Sequence, residues 1–207
     1  MQYDYGKIAV IAEGLACARG GRLLLRGLSF ALNAGEALQI SGANGIGKSS
    51  LLRLLAGLNE PISGDLAVVG QVAFADNLSA LDPHLSLFKA IKFWAKLARM
   101  ADFIPQALAA LGIERLAEVP VQMLSTGQLQ RANLARVALS GAGIWLLDEP
   151  GNGLDKDGME RLVRLINAQL SSGGIVIFAS HFDLGLEDLP RARPAKIQQL
   201  DLSGFKP

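Results

Sequence analysis

The chain has 207 residues, half of them apolar, and its 20 basic and 19 acidic side chains leave a formal net charge of +1. This length suits one large α/β core with a subordinate lobe and excludes two ordinary domains joined by a linker. The basic residues form no block, so the charge gives no support to nucleic-acid binding as the main task. The mean hydropathy of +0.30 indicates a large core or an apolar surface that awaits a partner.

Membrane, export and disulfide signals are absent from the sequence. No apolar stretch reaches the roughly 20 residues that span a bilayer. Asp148 and Glu149 interrupt one of the two best runs, and His181 and Asp183 end the other. Asp4 and Lys7 flank a short apolar run without the features of a signal peptide, so we expect no export. Cys17 has no disulfide partner within the chain, and its apolar neighbours predict a buried thiol in a strand.

Short strand-like runs alternate with helical patterns along the chain, which is typical of an α/β fold. The predicted strands are Lys7–Ile11, Ala37–Ser41, Ile144–Asp148, Ile175–Ser180 and Ile197–Leu202. Two core-facing helical stripes are also predicted, one of Leu51, Leu52, Leu54 and Leu55, the other of Met159, Leu162, Val163, Ile166 and Leu170.

The middle of the chain predicts a helical subdomain at about 83–140. Ile91, Trp94 and Leu97 share one face of its first helix, and Gly112 is a plausible helix stop. Leu85, Leu87 and Phe88 are expected either to pack internally or to receive a helix of a membrane subunit, whereas Trp94 is expected to pack internally.

Residues 42–49 read GANGIGKS, which is the phosphate-loop pattern GxxxxGK[ST] between a strand and a leucine-rich helix. Glycines permit a tight turn that directs backbone N–H groups toward phosphate oxygens. Lys48 supplies a positive charge to the β- and γ-phosphates, and Ser49 supplies a hydroxyl to Mg²⁺. The predicted nucleotide-binding residues of this segment are Gly42, Ala43, Asn44, Gly45, Ile46, Gly47, Lys48, Ser49 and Ser50.

A second apolar strand ends in Asp148 and Glu149, at the edge of the sheet where ligands bind in α/β folds. Alone, such a pair is often no more than the solvated end of a strand. After a phosphate loop, Asp148 is suited to hold Mg²⁺ through water. Glu149, expected to point the other way, is suited to orient or deprotonate the attacking water. His181 ends a further strand and is suited to act near the γ-phosphate.

Residues 124–131 read LSTGQLQR at the start of a predicted helix. Ser125 and Gln128 have the spacing of a capping box, which is a structural explanation for the motif. Together with the phosphate loop and the acidic strand end, the segment resembles the signature of the ABC ATPase family, with Thr126 where a glycine is usual. Residues 151–155, GNGLD, and His181 extend this resemblance over nearly the whole chain.

The resemblance implies a P-loop NTPase of the ABC type, with a mixed sheet core and a helical subdomain within a single domain. It implies that ATP and Mg²⁺ bind between two copies of the chain, and that Ser125, Gly127 and Gln128 complete the site of the opposite copy, where the helix dipole favours the anion. Catalysis would then require a homodimer.

Two positions depart from the family pattern. The aromatic residue that stacks on adenine is missing, and Arg19 stands in about its place, either as a planar stacking group or as a solvated turn residue. The glutamine expected after the strand near Val72–Ala75 is also missing, and Asn77 is the nearest similar side chain, here assigned as a possible magnesium ligand.

Within the family, the chain looks like the ATP-binding subunits of haem exporters used in cytochrome c biogenesis. The stretches that carry this resemblance are GLSFALNAGE (27–36), LLDEPGNGLDKDG (146–158) and GGIVIFASH (173–181). The resemblance implies integral-membrane partner subunits and a peripheral location on the cytoplasmic face of the inner membrane.

Three alternatives remain open at this stage. The motifs identify ATP and not the cargo, so another ABC exporter fits them equally. A soluble ABC protein that acts on ribosomes or DNA usually has paired ATPase domains or long insertions, which 207 residues do not accommodate. A switch that binds ATP without turnover is disfavoured because Lys48, Asp148, Glu149 and His181 are all present.

Overall fold

The computed structural model describes residues 7–76, 78–181, 184–186 and 196–205. Its strands are β1 (Ala9–Arg19), β2 (Arg22–Asn33), β3 (Ala37–Ser41), β4 (Ser63–Val69), β5 (Val72–Ala75), β6 (Ile144–Asp148), β7 (Ile175–Ala179) and β8 (Ile197–Asp201). Its α-helices are α1 (Lys48–Leu55), α2 (Leu87–Leu97), α3 (Ile104–Ala110), α4 (Thr126–Ala138) and α5 (Lys156–Ser171). The α/β class predicted from the sequence is confirmed.

The described strands form two separate sheets, one parallel and one antiparallel. The parallel sheet has the order β5-β6-β7-β3-β8, and the antiparallel sheet has the order β2-β1-β4. Every residue of β6 and β7 is buried, which explains why both read as unbroken apolar runs in the sequence. The core therefore contains both strand directions, as predicted, with the parallel strands in one sheet and the antiparallel strands in the other.

The predicted strand boundaries need three adjustments. The first strand extends to Arg19 because β1 pairs along its length with β2 and β4, so it is much longer than the predicted Lys7–Ile11. The strands β7 and β8 each end one residue before the predicted limit.

Cys17 lies on β1 with 1% of its surface exposed, as predicted, and burial raises the pKa of its thiol.

The helix α1 buries its leucine stripe completely, as the spacing of Leu51, Leu52, Leu54 and Leu55 predicts. On α5, Leu162, Ile166 and Leu170 are buried, while Met159 and Val163 are half-buried at the margin of the same stripe. The packing of α1 fixes the chain that follows the phosphate loop, and the packing of α5 fixes the chain that follows the acidic end of β6.

The helices α2, α3 and α4 occupy the middle of the chain. The buried stripe of α2 follows Leu87, Ile91 and Ala95. The prediction that Leu97 lies on one face of the helix with Ile91 is therefore wrong. Leu97 lies in the last turn of α2, beside that stripe, and is 68% exposed. Gly112 follows α3 with a φ of +64°, which confirms it as the helix stop.

No described helix is long and apolar enough to cross a bilayer.

Candidate nucleotide-binding site

The phosphate loop lies between the carboxyl end of β3 and the first turn of α1. Gly47, the residue before α1, has a φ of +126°, and a Cβ there would lie 3.1 Å from Leu25 Cδ1. Gly42 has a φ of +130°, with Ile46 Cγ2 3.2 Å from its would-be Cβ. Only glycine adopts this backbone in this space. No side-chain hydrogen bond among the described residues caps the start of α1. Because the first N–H groups of an α-helix have no intrahelical partner, those of α1 are available to an anionic ligand at the loop.

Lys48 is the most buried lysine in the described part of the chain, with 7% of its surface exposed. Its Nζ donates to Gly42 O at 2.9 Å and lies 3.7 Å from Glu149 Oε1. It also lies 3.0 Å from His181 Nε2. The ammonium group is therefore surrounded by acceptors, and phosphate oxygens are the class of ligand that would compete with them.

His181 and Glu149 also contact each other, with His181 Nε2 3.2 Å from Glu149 Oε1. In one tautomer Nε2 accepts from Lys48, and in the other it donates to Glu149, but it does not do both at once. Lys48, Glu149 and His181, which come from α1, the end of β6 and the end of β7, thus form one hydrogen-bonding group.

Asp148 is the last residue of β6 and is 4% exposed. Strand alternation predicts that Asp148 and Glu149 point to opposite sides, but both residues line the same cavity. The reason is the backbone of Glu149, whose φ of +50° ends the pleated alternation. Its N–H still donates to Ala179 O at 3.0 Å, which ties the turn to β7.

A cavity of about 600 Å³ unites most of the predicted site. Its predicted members are Arg19, Asn44, Gly45, Gly47, Lys48, Ser49, Ser50, Asp148, Glu149 and His181. A neighbouring cavity of about 530 Å³ adds Ala43 and Ile46. Two further lining residues, Leu24 and Asn152, were missed by sequence reasoning. Asn152 lies in the GNGLD segment, which gave a signal, whereas Leu24 on β2 gave none.

Arg19 lies at the end of β1, across a two-glycine turn from its pairing partner Arg22. It is exposed and lines the cavity beside the phosphate loop, a position that suits contact with a base. Asn77 lies outside the described residues.

The signature segment lies elsewhere in the chain. Ser125 and Gln128 form the capping box at the start of α4: Gln128 N donates to Ser125 Oγ at 3.3 Å, and Ser125 N donates to Gln128 Oε1 at 2.9 Å. Neither Ser125, Gly127 nor Gln128 lines the cavity described above. The structural explanation of the motif is therefore confirmed, and it leaves a role toward a second copy open.

Residues 25–152 match the family model described as ABC transporter. The chain belongs to the ABC transporter family. It is 48% identical over 185 residues to the cytochrome c biogenesis ATP-binding export protein CcmA of Zymomonas mobilis, which covers 89% of this chain and 84% of the relative. It is 46% identical to the protein of the same name from Novosphingobium aromaticivorans, over 96% of this chain and 97% of the relative.

Solved structures agree with the fold of this ABC protein. CbiO1 from Clostridium perfringens, part of the ABC transporter complex CbiONQ, matches it with a TM-score of 0.69 at 27% identity, over 86% of this chain and 80% of that chain. The chain is thus an ATP-binding subunit of the family, most like the CcmA proteins, with an ATPase activity coupled to transport.

Proposed function

We propose that this ABC ATPase powers the export or handling of haem for cytochrome c maturation, from the cytoplasmic face of the inner membrane. The cargo is inferred from the similarity to the CcmA proteins over nearly the full length of the chain. The observation that carries the catalytic part is the convergence of Lys48, Glu149 and His181 at the phosphate loop. We further propose that the whole chain is a single domain with a helical subdomain at about 83–140.

ATP fits the cavity through its phosphates. The uncapped first turn of α1 and the glycines of residues 42–47 supply N–H groups, and Lys48 exchanges Gly42 O, Glu149 and His181 for phosphate oxygens. Arg19, at the rim, is proposed to stack on the base.

Mg²⁺ fits the oxygen atoms that accompany this loop. The hydroxyl of Ser49 and the carboxylate of Asp148 line one cavity and are hard ligands of the type that Mg²⁺ prefers. When bound, the ion neutralises charge on the phosphate oxygens. Asn77, the third ligand suggested by the sequence, rests on the sequence pattern alone.

Glu149 is proposed to position and deprotonate the attacking water. Its carboxylate is 12% exposed and contacts both Lys48 and His181, so it lies where a nucleophile would approach the terminal phosphate. His181, once Lys48 has turned to the phosphates, is proposed to hydrogen-bond near the γ-phosphate and to orient Glu149. A binding-only switch does not require this constellation.

A homodimer is proposed to complete each site. Ser125, Gly127 and Gln128 are separate from this chain's own cavity, which supports the idea that they serve the ATP of the other copy. The start of α4 then presents its helix dipole to the partner's γ-phosphate.

The membrane subunit is proposed to dock on α2. Phe93 and Leu97 lie one turn apart on that helix, 58% and 68% exposed. Of the residues left undecided by the sequence, Leu87 is fully buried and Phe88 packs against the core, while Leu85 is 37% exposed. Trp94 packs internally as predicted, and its Nε1 donates to Ala80 O at 3.1 Å. An exposed apolar pair on a surface helix suits a helix of a membrane subunit.

Two measurements test the proposal together. The purified chain should hydrolyse ATP in the presence of Mg²⁺, and affinity purification from native membranes should recover integral-membrane subunits together with haem. Recovery of another cargo would replace haem by that cargo. Absence of ATP hydrolysis with the membrane subunits present would overturn the catalytic assignment, and salt-sensitive nucleic-acid binding in place of a membrane partner would favour the soluble alternative.

A further inference from the structure

The loop that follows β6 is folded into a compact turn beside the nucleotide cavity. Asn152 N donates to Glu149 O at 3.1 Å, and Leu154 N donates to Gly151 O at 3.2 Å. Glu149 and Asn152 line the cavity. A ligand in this chain's own site would therefore contact the loop of residues 149–154 at Glu149 and Asn152.

The same loop packs against the first turns of α4. Gln130 Nε2 donates to Pro150 O at 3.0 Å. A Cβ at Gly127 would lie 2.5 Å from Gly153 O, so the two backbones touch without room for a side chain. A Cβ at Gly153 would lie 3.1 Å from Thr126 Cγ2, so the methyl group of Thr126 packs on that glycine. Through these three contacts, the loop and the start of α4 are closely packed against each other.

We propose that Thr126 is a positioning residue that couples the two ATP sites of the dimer. Its methyl group holds the start of α4 against the loop of residues 149–154. When ATP binds in this chain's own site and the loop moves, the movement is transmitted to the start of α4, which faces the ATP of the partner copy. This inference rests on the dimer of the proposed function. It assigns a role to the residue at which this chain departs from the glycine of the family signature.

Two substitutions separate the methyl group of Thr126 from its hydroxyl. Thr126→Ser removes Cγ2 and keeps the hydroxyl, whereas Thr126→Val keeps a methyl branch and removes the hydroxyl. The readout is the Hill coefficient of ATP hydrolysis by the full chain with its membrane subunits. In wild type we expect a value between 1 and about 2, the number of sites. Thr126→Ser should bring the value close to 1, while Thr126→Val should keep the wild-type value.

Three outcomes would overturn the coupling while leaving the ATPase assignment intact. The first is a wild-type Hill coefficient of 1, and the second is an unchanged Hill coefficient in Thr126→Ser. The third is a Hill coefficient that falls only in Thr126→Val, which would assign the effect to the hydroxyl. Wild type without ATP hydrolysis would instead overturn the proposed function itself. Thermal melting of both variants establishes that they are folded, and a uniform loss of turnover without a change in the Hill coefficient would indicate a merely structural role.

Gln130→Met gives an independent measurement. It removes the donor to Pro150 O and keeps the length of the side chain. We expect the Hill coefficient to fall here as well, and the double variant with Thr126→Ser to fall no further than the larger single effect, because both act through one interface. Gln122→Met, at an exposed position before the signature segment, is the matched control. A fully additive double variant would contradict a shared interface.

Discussion

His181 Nε2 lies 3.2 Å from Glu149 Oε1 and 3.0 Å from Lys48 Nζ, so a single ring nitrogen faces both the proposed base and the proposed phosphate-binding lysine. The pairing of the sheet explains this arrangement. In the parallel register of β6 and β7, Asp148 is opposite Ala179, and the residues that follow each strand emerge at the same edge. Residues distant in sequence therefore become one hydrogen-bonding group.

Glu149→Gln should lower ATP turnover by about 10²-fold or more, because the amide keeps the shape of the side chain but does not accept a proton at neutral pH. ATP binding should persist, and an ATP-bound dimer should accumulate. Turnover is measured by phosphate release and the dimer by size-exclusion chromatography with light scattering. Glu160→Gln, an exposed position on α5, is the matched control. Unchanged turnover in Glu149→Gln would remove Glu149 from the catalytic role.

Lys48→Ala should weaken ATP binding. Charge-assisted hydrogen bonds are worth about 1.5–3 kcal/mol, which corresponds to a loss of affinity of roughly 10- to 150-fold. Isothermal titration calorimetry with ATP measures this change. Lys89→Ala, which removes an exposed charge on α2, should bind ATP as wild type does. Equal affinities in the two variants would show that the phosphates do not contact Lys48.

Replacement of Phe93 and Leu97 together by serine should abolish recovery of the membrane subunits while leaving ATP binding unchanged, since neither side chain lines the nucleotide cavity. Pull-down from native membranes and ATP titration measure the two properties. Lys92→Ser, on the same helix, is the control for an effect of mutating α2 itself. If the double variant still recovers the membrane subunits, the docking surface lies elsewhere.

Gln169→Leu should destabilise the fold. Gln169 is 4% exposed, and its Nε2 donates to Ala142 O at 3.1 Å and to Gly143 O at 3.2 Å. Ala142 O also accepts from Trp145 Nε1, and Gly143 O also accepts from Ile175 N, so each acceptor keeps one partner in the variant. A hydrogen bond contributes about 0.5–1.5 kcal/mol net, so the loss of two should lower the free energy of unfolding by roughly 1–3 kcal/mol. Urea unfolding measures it. The exposed Gln122→Leu should change it by less than about 0.5 kcal/mol, and similar losses in both would contradict the role of the buried bonds.

Much of the candidate site could be predicted from the spacing of residues that are close in the sequence. Four features depend only on residues within a few positions of one another, so the sequence predicts them directly. They are the phosphate loop, the buried stripe of α1, the capping box of Ser125 and Gln128, and the helix stop at Gly112. The same holds for β6 and β7, whose burial on both faces requires unbroken apolar runs.

Other features depend on how distant segments pack. Leu97 is apolar and lies at helical spacing from Trp94, three residues earlier, yet it is exposed, because the elements packed against α2 contact the stripe of Leu87, Ile91 and Ala95 instead. Leu24 reaches the cavity only because β2 lies beside the phosphate loop, and no local pattern marks it.

The sequence by itself determined the backbone of the phosphate loop, the chemical groups near it and the family, because these follow from residue type and short-range spacing. Tertiary structure alone decided that Glu149 shares a cavity with Asp148, since the left-handed backbone of Glu149 turns it there. It also decided that Lys48, Glu149 and His181 meet, and that Thr126 packs on Gly153, because those contacts arise from sheet register and from the packing of α4 against the loop after β6.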